Sequence, residues 1–286
     1  MILVVGASGQ LGGIIAKRLV QSGQVVRILT RENPAYQALV ASGAQSVKGD
    51  LKDRASLQAV CQGVETVITT ATATQRGGAD TLESVDLQGV GNLIEAAKAA
   101  GVKRFIYISS TGADPQSPNP YFQAKGQNEQ RLRESGMVYT ILTPHVYLDI
   151  WLGLALGLPL QAGQPITLVG RGDHKHSFIV IEDVAAFALA ALDHPAAHNQ
   201  NLLLGGPEPI AFVDIVERVG KVLGKTLPVN FVPPGSPIPL IPEPLWGFLY
   251  FLESYELRID MRDLSSAYGV TLTPVEALAR RMFQAG

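Results

Sequence analysis

The chain begins Met1-Ile-Leu-Val-Val-Gly6-Ala-Ser-Gly9-Gln-Leu-Gly12, an apolar run followed at once by three glycines spaced three residues apart. Residues 1–5 predict a buried strand, and the apolar periodicity of residues 11–22 predicts a helix. A dinucleotide pyrophosphate binds at such a turn, because the first glycine permits the tight bend, the second lets the phosphates approach and the third lets the helix pack closely. The alternative is a glycine-rich turn without a ligand. We predict a phosphate-binding turn that comprises Gly6, Ser8, Gly9, Gln10, Leu11 and Gly12.

Strands and helices alternate through the first half of the chain. We predict strands at 1–5, 24–30, 44–48, 64–70 and 104–109, and helices at 11–22, 35–42, 54–61 and 87–100. A helix at 121–135 and a strand at 139–142 continue the pattern. Such alternation indicates right-handed βαβ units and a parallel sheet. The predicted fold class is therefore α/β, a Rossmann-type doubly wound parallel sheet.

The second half of the chain is less regular. It predicts strands at 178–181 and 202–204, and helices at 183–193, 211–223 and 245–256, the first of them capped by Asp183. Residues 163–172 are turn-rich, and the six prolines of 233–244 exclude a regular helix or a central strand there. We predict one NAD(P)-binding domain over 1–286, with a Rossmann body of about 1–150 plus later strands and a small C-terminal α/β substrate lobe from about 151 to 286.

Composition argues against several other classes of protein. The 23 Lys and Arg residues are scattered and the formal net charge is −2, so we predict no nucleic-acid partner. The single cysteine, Cys61, excludes an intramolecular disulfide and fits a reducing compartment. The N-terminus does not resemble a signal peptide, and no apolar run approaches the ~20 residues that span a bilayer. We therefore expect a cytoplasmic protein without a transmembrane segment.

The end of the second strand bears on the choice of cofactor. NAD-binding proteins usually place a carboxylate there for the ribose 2′-hydroxyl, whereas an arginine suits the 2′-phosphate of NADP. This chain reads Ile28-Leu-Thr-Arg31, followed by Glu32. Arg31 could also be a solvated loop residue. We predict NADP as the cofactor, with NADPH preferred over NADH.

Several further segments carry a family resemblance. The segments are GASGQLGG at 6–13, VRILTR at 26–31, GDLKD at 49–53, and residues 101–110, 134–144 and 178–185. They resemble the atypical short-chain dehydrogenase/reductases, and within these the NmrA-like NAD(P)-binding group. The resemblance implies that Asp50 and Leu51 border the adenine and that Ala71 and Thr72 line the cofactor. One departure is Thr143-Pro144-His145, where the family commonly has Arg-Pro.

Tyr121 and Lys125 form a Y-x-x-x-K pattern at the start of a predicted helix, so both side chains lie on one helical face. In the short-chain dehydrogenases such a tyrosine is the general acid for a carbonyl oxygen. The lysine binds the nicotinamide ribose and supports the phenol electrostatically. The resemblance also implies a hydroxyl after the fifth strand, which Ser110 or Thr111 could supply. The alternative is that Asn119 and Pro120 simply begin the helix and Tyr121 anchors it.

The remaining features concern substrates and partners. Residues 233–252 combine proline with many large apolar side chains, and we predict either a lid over a small apolar substrate or a surface for a partner, a dimer or a membrane. His174 and His176 lack the neighbours that a metal site needs, so no metal is predicted. The function predicted is an NADPH-dependent oxidoreductase that reduces a small apolar carbonyl, enone or quinone. The alternatives are a non-catalytic NAD(P) sensor and an assembly factor that retains the nucleotide.

Overall fold

The computed structural model describes residues 1–31, 36–74 and 78–284. Its strands are β1 Ile2–Val5, β2 Val26–Thr30, β3 Gln45–Lys48, β4 Thr66–Thr69, β5 Arg104–Ile108, β6 Val138–Pro144, β7 Ile166–Val169, β8 Gln200–Leu204 and β9 Val229–Val232. Its α-helices are α1 Gln10–Gln21, α2 Gln37–Ala41, α3 Arg54–Cys61, α4 Gln88–Ala99, α5 Pro120–Glu134, α6 Leu148–Trp151, α7 Leu158–Ala162, α8 Ile181–Asp193, α9 Phe212–Leu223, α10 Trp246–Leu252, α11 Arg262–Ala267 and α12 Val275–Phe283. Wider π-helical turns at Leu82–Leu87 and Leu152–Gly157 lead into α4 and α7.

The central sheet has seven strands in the order β3-β2-β1-β4-β5-β6-β8. Strands β1 to β6 pair in parallel with one another along this order. The strand order reverses between β1 and β4, and in doubly wound sheets a ligand binds in the crevice at that switch point. The predicted Rossmann-type fold class is confirmed.

The first compact unit consists of Met1–Pro144 and Val184–Leu203. All four residues of β1 are buried, and α4 buries Val90, Leu93 and Ile94. Burying each side chain of this size contributes about 1.5–3 kcal/mol. Parallel strands are covered by helices on both faces, which is why β1 is a continuous apolar run and not an alternating one.

The second compact unit consists of His145–Asp183 and Leu204–Gly286. It has its own apolar core, to which α9 contributes Ile215 and Val219 and α12 contributes Leu278. The Trp151 ring stacks on Phe248 with centroids 5.1 Å apart. Strands β7 and β9 form a separate two-stranded parallel sheet in this unit.

The structure corrects the sequence predictions mainly in this second unit. The strand predicted at 178–181 is absent, because Ile179 makes a single bridge to Tyr147 and α8 already begins at Ile181. Strands β7 and β9 were not predicted; each finds its partner about sixty positions along the chain, as Ile166 pairs with Val229. Helices α6, α7, α11 and α12 were also not predicted.

Asp183 is not the N-cap that the sequence predicted. Helix α8 begins two residues before it, which places Asp183 in the first helical turn. Its carboxylate instead accepts hydrogen bonds from the backbone N–H of Thr273 at 2.7 Å and from the Thr273 hydroxyl at 2.8 Å. Asp183 therefore ties α8 to the segment that precedes α12.

Within the described residues, no helix has both the length and the apolar character required to cross a bilayer.

Candidate functional site

The glycine-rich turn after β1 is built without room for side chains at its two ends. Gly6 has a φ of +93°, and a Cβ there would lie 2.5 Å from the Thr70 hydroxyl oxygen. A Cβ on Gly12 would lie 2.3 Å from the Gly6 carbonyl oxygen, so helix and strand pack in direct backbone contact. Gly9 differs, because its φ is −83° and a Cβ there would meet only the Gly6 oxygen at 3.3 Å. The fold therefore requires glycine at positions 6 and 12, whereas at position 9 it nearly accommodates a side chain.

The N-terminus of α1 is open to an anion. Gly9 is the N-cap residue and supplies no side-chain hydrogen bond, and the first turn carries no acidic residue. The N–H groups of a first turn have no partner within the helix, and the helix dipole places positive charge there. A phosphate is the kind of group that such a terminus stabilises.

A cleft lies beside this turn, at the carboxyl ends of β1, β2 and β4. Its lining includes five residues that the sequence analysis assigned to the cofactor, namely Gly6, Arg31, Asp50, Leu51 and Ala71. It also includes residues that the sequence analysis missed, among them Tyr36, Lys52, Asp80 and Val85. Lys52 belongs to the GDLKD segment and could have been noticed there. Asp80 has no local signal, because it reaches the cleft from a loop far along the chain.

The structure places two carboxylates beside Arg31, from parts of the chain distant in sequence. The Arg31 guanidinium lies 2.9 Å from Asp80 and 3.6 Å from Asp50. Lys52 lies 2.6 Å from Asp80 and 3.1 Å from Asp50. The hydrogen bond from Lys52, together with Arg31, lowers the pKa of Asp80 to about 2. Glu32, which follows Arg31 in the sequence, lies outside the described residues.

Lys125 is buried at the carboxyl end of β5. Its ammonium donates a hydrogen bond to the Ile108 carbonyl at 3.3 Å and lies 3.7 Å from the Asp86 carboxylate oxygen Oδ1. It also lies 5.5 Å from the centroid of the Tyr121 ring and 5.2 Å from that of Tyr107. The predicted pair of Tyr121 and Lys125 therefore shares one face of α5.

Asp86 is the buried counter-charge of Lys125, and the sequence analysis did not identify it. Its side chain is fully buried; Oδ2 accepts a hydrogen bond from the Ala73 N–H at 2.8 Å. Oδ1, which faces Lys125, has no hydrogen-bond partner in the described part of the chain. Removing one member of a buried ion pair typically costs about 3–5 kcal/mol, because the other charge is left uncompensated. A lone carboxylate between Val85 and Leu87 was the available sequence signal.

The remaining predicted catalytic residues occupy the turn after β5 and the start of α5. The Asn119 side chain caps α5 by accepting a hydrogen bond from the Tyr121 N–H at 2.9 Å, so this part of the helix-start interpretation is correct. Ser110 has a buried hydroxyl oxygen with no partner among residues 1–31, 36–74 and 78–284. The Thr111 N–H donates to the Pro144 carbonyl at 3.2 Å, which joins this turn to the end of β6.

The second unit holds a buried histidine pair. His145 Nε2 lies 3.1 Å from His176 Nδ1, and His176 Nε2 lies 2.9 Å from the Leu252 carbonyl. The Tyr255 ring packs against both imidazoles. Burial, reinforced by the neighbouring His176, lowers the pKa of His145 to about 3. His145 is thus a neutral packing residue at physiological pH.

Because the pKa of His145 is low, we predict that the folded protein loses stability in mild acid. The unfolded chain binds a proton at His145 below about pH 6.5, while the folded protein resists it down to a pKa of about 3. Lowering the pH to 5 should therefore remove about 2 kcal/mol of unfolding free energy through this residue. Denaturant unfolding at pH 7.5 and pH 5 should show a smaller loss for His145→Gln than for the parent. An equal loss in both proteins would contradict the role assigned to His145.

The sequence prediction of no metal overlooked one carboxylate. Glu253 lies 3.6 Å from His174 Nδ1, and Asp173 lies 3.7 Å from the same atom, so three possible ligands converge. However, the Arg171 guanidinium already pairs with Asp173 at 2.9 Å. We assign no metal ion to this group.

Comparisons with known proteins agree with the fold and with NADP as the cofactor. The NAD(P)H azoreductase of Xenophilus azovorans is 31% identical over 232 residues, which cover 81% of this chain and 76% of that protein. The photosystem II assembly factor Ycf39 of Trieres chinensis is 30% identical over 234 residues, covering 81% of this chain and 72% of the factor. The Escherichia coli NADPH-dependent quinone oxidoreductase QOR2, solved with NADPH, has a TM-score of 0.80 and 25% identity, with 99% of this chain and 100% of that chain covered.

The family assignment rests on a match along nearly the entire sequence. The model of the NmrA-like family matches residues 1–270. The same span contains the glycine-rich turn, the cleft beside it, and the Tyr121–Lys125 pair. This chain belongs to the NmrA-like family.

Proposed function

We propose that this chain is an NADPH-dependent reductase of a small apolar carbonyl, enone or quinone. The observation that carries the proposal is the buried Lys125 ammonium beside the Tyr121 ring, at the carboxyl end of β5. A cation and a phenol at this edge of a doubly wound sheet are suited to protonating the oxygen of a carbonyl group that is being reduced. The likeness to an NAD(P)H azoreductase and to an NADPH-dependent quinone oxidoreductase supports a reductase role.

The described residues fit an NADP molecule. The uncapped N-terminus of α1 and the bare backbone at Gly9 suit the pyrophosphate. In this proposal the turn Gly6, Ser8, Gly9, Gln10, Leu11 and Gly12 holds the phosphates, and Arg31, Asp50 and Leu51 hold the adenosine. Ala71 and Thr72 line the cofactor, and Lys125 holds the nicotinamide ribose. The second unit supplies the substrate lobe.

NADPH, when bound, supplies a hydride. Tyr121 then donates its phenolic proton to the oxygen of the substrate, and Ser110 or Thr111 orients that oxygen by a hydrogen bond. Lys125 stabilises the phenolate that remains, since its ammonium lies on the same helical face. Asp86 holds Lys125 in place from the buried side. For a quinone, water can supply the proton.

Sequence similarity to a different relative supports a second candidate function. The Ycf39 relative is named as a photosystem II assembly factor, and it matches this chain over nearly the same length as the azoreductase does. On this alternative the nucleotide stabilises the fold or reports the NADP⁺/NADPH ratio to a partner. Such a protein would need the turn and the cleft but not the Tyr121 phenol.

An activity screen separates the two functions. The purified protein should oxidise NADPH in the presence of at least one member of a panel of quinones, enones, carbonyl compounds and azo dyes, with NADPH absorbance as the readout. NADPH binding without turnover, together with partner binding that differs between NADP⁺ and NADPH, would instead support the assembly or sensing function. A protein that binds neither NADPH nor NADH would overturn both.

A further inference from the structure

Among residues 1–31, 36–74 and 78–284, four charged side chains meet in the cleft beside the glycine-rich turn. Asp80 is their centre, because its two oxygens contact the two cations, with Lys52 at 2.6 Å and Arg31 at 2.9 Å. Asp50 lies farther from both cations, at 3.1 Å from Lys52 and 3.6 Å from Arg31. Only 8% of the Asp80 side chain is exposed, against 43% for Arg31 and 34% for Lys52. The carboxylate thus lies beneath the cations and binds them from the protein side.

The chain holds Asp80 in this position through the residues that follow it. Thr81 caps the π-helical turn Leu82–Leu87, since its hydroxyl accepts a hydrogen bond from the Ser84 N–H at 3.0 Å. The Ser84 hydroxyl in turn accepts one from the Thr81 N–H at 2.9 Å. This capping box fixes the backbone immediately after Asp80. The capping box therefore helps to hold Asp80 where it contacts Arg31 and Lys52.

From this arrangement we propose that Asp80 sets the cofactor preference, by competing with the 2′-phosphate of NADPH for Arg31 and Lys52. The inference rests on the proposed function, because it concerns the adenosine end of the same site. It differs from the sequence prediction, in which Arg31 alone selects NADPH.

The charge balance explains the competition. Among the described residues of the cleft, the two cations and the two carboxylates carry no net charge, so these four side chains together offer a dianionic phosphate little net attraction. An arginine that already donates to Asp80 must give up or share those hydrogen bonds to bind a phosphate. NADH does not meet this obstacle, because its 2′-hydroxyl is neutral and can donate to a carboxylate. Asp80 therefore narrows the preference for NADPH over NADH.

Neutralising Asp80 is the direct test. Asp80→Asn keeps the size of the side chain but removes its charge, so that among the described carboxylates only the more distant Asp50 still contacts the two cations. We expect NADPH to bind about ten- to a hundredfold more tightly than to the parent, the range for hydrogen bonds between charged groups. NADH affinity should stay the same or weaken. Adenosine 2′,5′-bisphosphate and 5′-AMP, titrated in the same way, should reproduce the contrast without the nicotinamide end.

Three kinds of control variant test whether the change in cofactor affinity depends on the charge at Asp80. Glu83→Gln removes one negative charge from the same π-helical turn, at an exposed side chain outside the cleft lining, and should leave the NADPH-to-NADH ratio unchanged. Adding Arg31→Ala or Lys52→Met to Asp80→Asn should remove the gain in NADPH affinity. Asp80→Ser provides a second neutral variant, and retained 5′-AMP binding shows that each variant is folded.

The outcomes separate this inference from the proposed function. If the parent binds neither NADPH nor NADH, the proposed function fails. If the parent binds a cofactor but Asp80→Asn and Asp80→Ser leave the ratio of the two affinities unchanged, Asp80 does not compete with the phosphate. An equal change for NADPH and NADH would likewise overturn the inference, because it would show a structural effect and not a specific one.

Discussion

Replacing Gly9 with valine is expected to abolish the binding of both NADPH and NADH while the protein stays folded. The backbone at Gly9 has an ordinary φ of −83°, and its nearest neighbour to an added Cβ is one carbonyl oxygen at 3.3 Å. The fold can therefore accept a side chain there with a small shift. The same side chain would stand at the N-terminus of α1, where the pyrophosphate must approach the backbone. We expect affinity to fall at least about a hundredfold for each cofactor, since charge-assisted hydrogen bonds are lost together.

Calorimetric titration of both cofactors measures this effect, and thermal unfolding reports whether the fold is retained. Gly247→Val is the matched control, because a Cβ added at this position of α10 would meet no described atom within 4 Å beyond its own helix backbone and chain neighbours. Gly12→Val is a useful contrast: a Cβ there would collide with the Gly6 oxygen at 2.3 Å, so this variant should be destabilised. Normal cofactor binding by Gly9→Val would place the phosphates elsewhere.

Replacing Tyr121 with phenylalanine is expected to lower kcat for a carbonyl or enone substrate by about 10²–10⁴-fold, the range for a positioned general acid. The ring and its contact with Phe122 remain, so the start of α5 should be unaffected. NADPH affinity should hardly change, because the phenol acts on the substrate oxygen. Lys125→Met should instead reduce both kcat and NADPH affinity, since the ammonium serves the ribose and the phenol.

Single-turnover measurement of hydride transfer, with a substrate found in the activity screen, tests the role of Tyr121. Tyr139→Phe is the matched control: Tyr139 lies near the amino end of β6, away from the carboxyl edge where ligands bind. It should retain full activity. If Tyr121→Phe reduces a carbonyl or enone as fast as the parent, another group supplies the proton.

The first unit could be predicted from the sequence because its signals are local. The apolar run of residues 1–5 is a parallel strand buried on both faces, and the glycines at 6 and 12 mark positions where backbones meet. The Asn119–Pro120 pair likewise contains the chemistry that begins α5. Each of these features is decided within a few residues. Propensity and capping are therefore enough to predict them.

The sequence could not predict features that depend on distant partners. Strands β7 and β9 pair with each other across a long stretch of chain, so the sequence next to either strand does not indicate its partner. Asp80 pairs with Arg31 from almost fifty positions away, so the sequence around the end of β2 does not reveal this carboxylate. Asp86 lies in the π-helical turn Leu82–Leu87 and its partner Lys125 lies in α5. In each case the fold, and not the local pattern, brings the groups together.

The π-helical turn Leu82–Leu87 has a practical consequence for altering this protein. Asp80 lies just before the turn and Asp86 within it, so one short element supports the group that contacts Arg31 and the group that holds Lys125. On the proposed function these serve opposite ends of the dinucleotide. A library that exchanges cofactor preference by varying residues 80–86 freely would therefore also disturb turnover. Keeping the Thr81–Ser84 capping box and Asp86 fixed, and varying only Asp80, Arg31 and Lys52, separates selection for affinity from selection for rate.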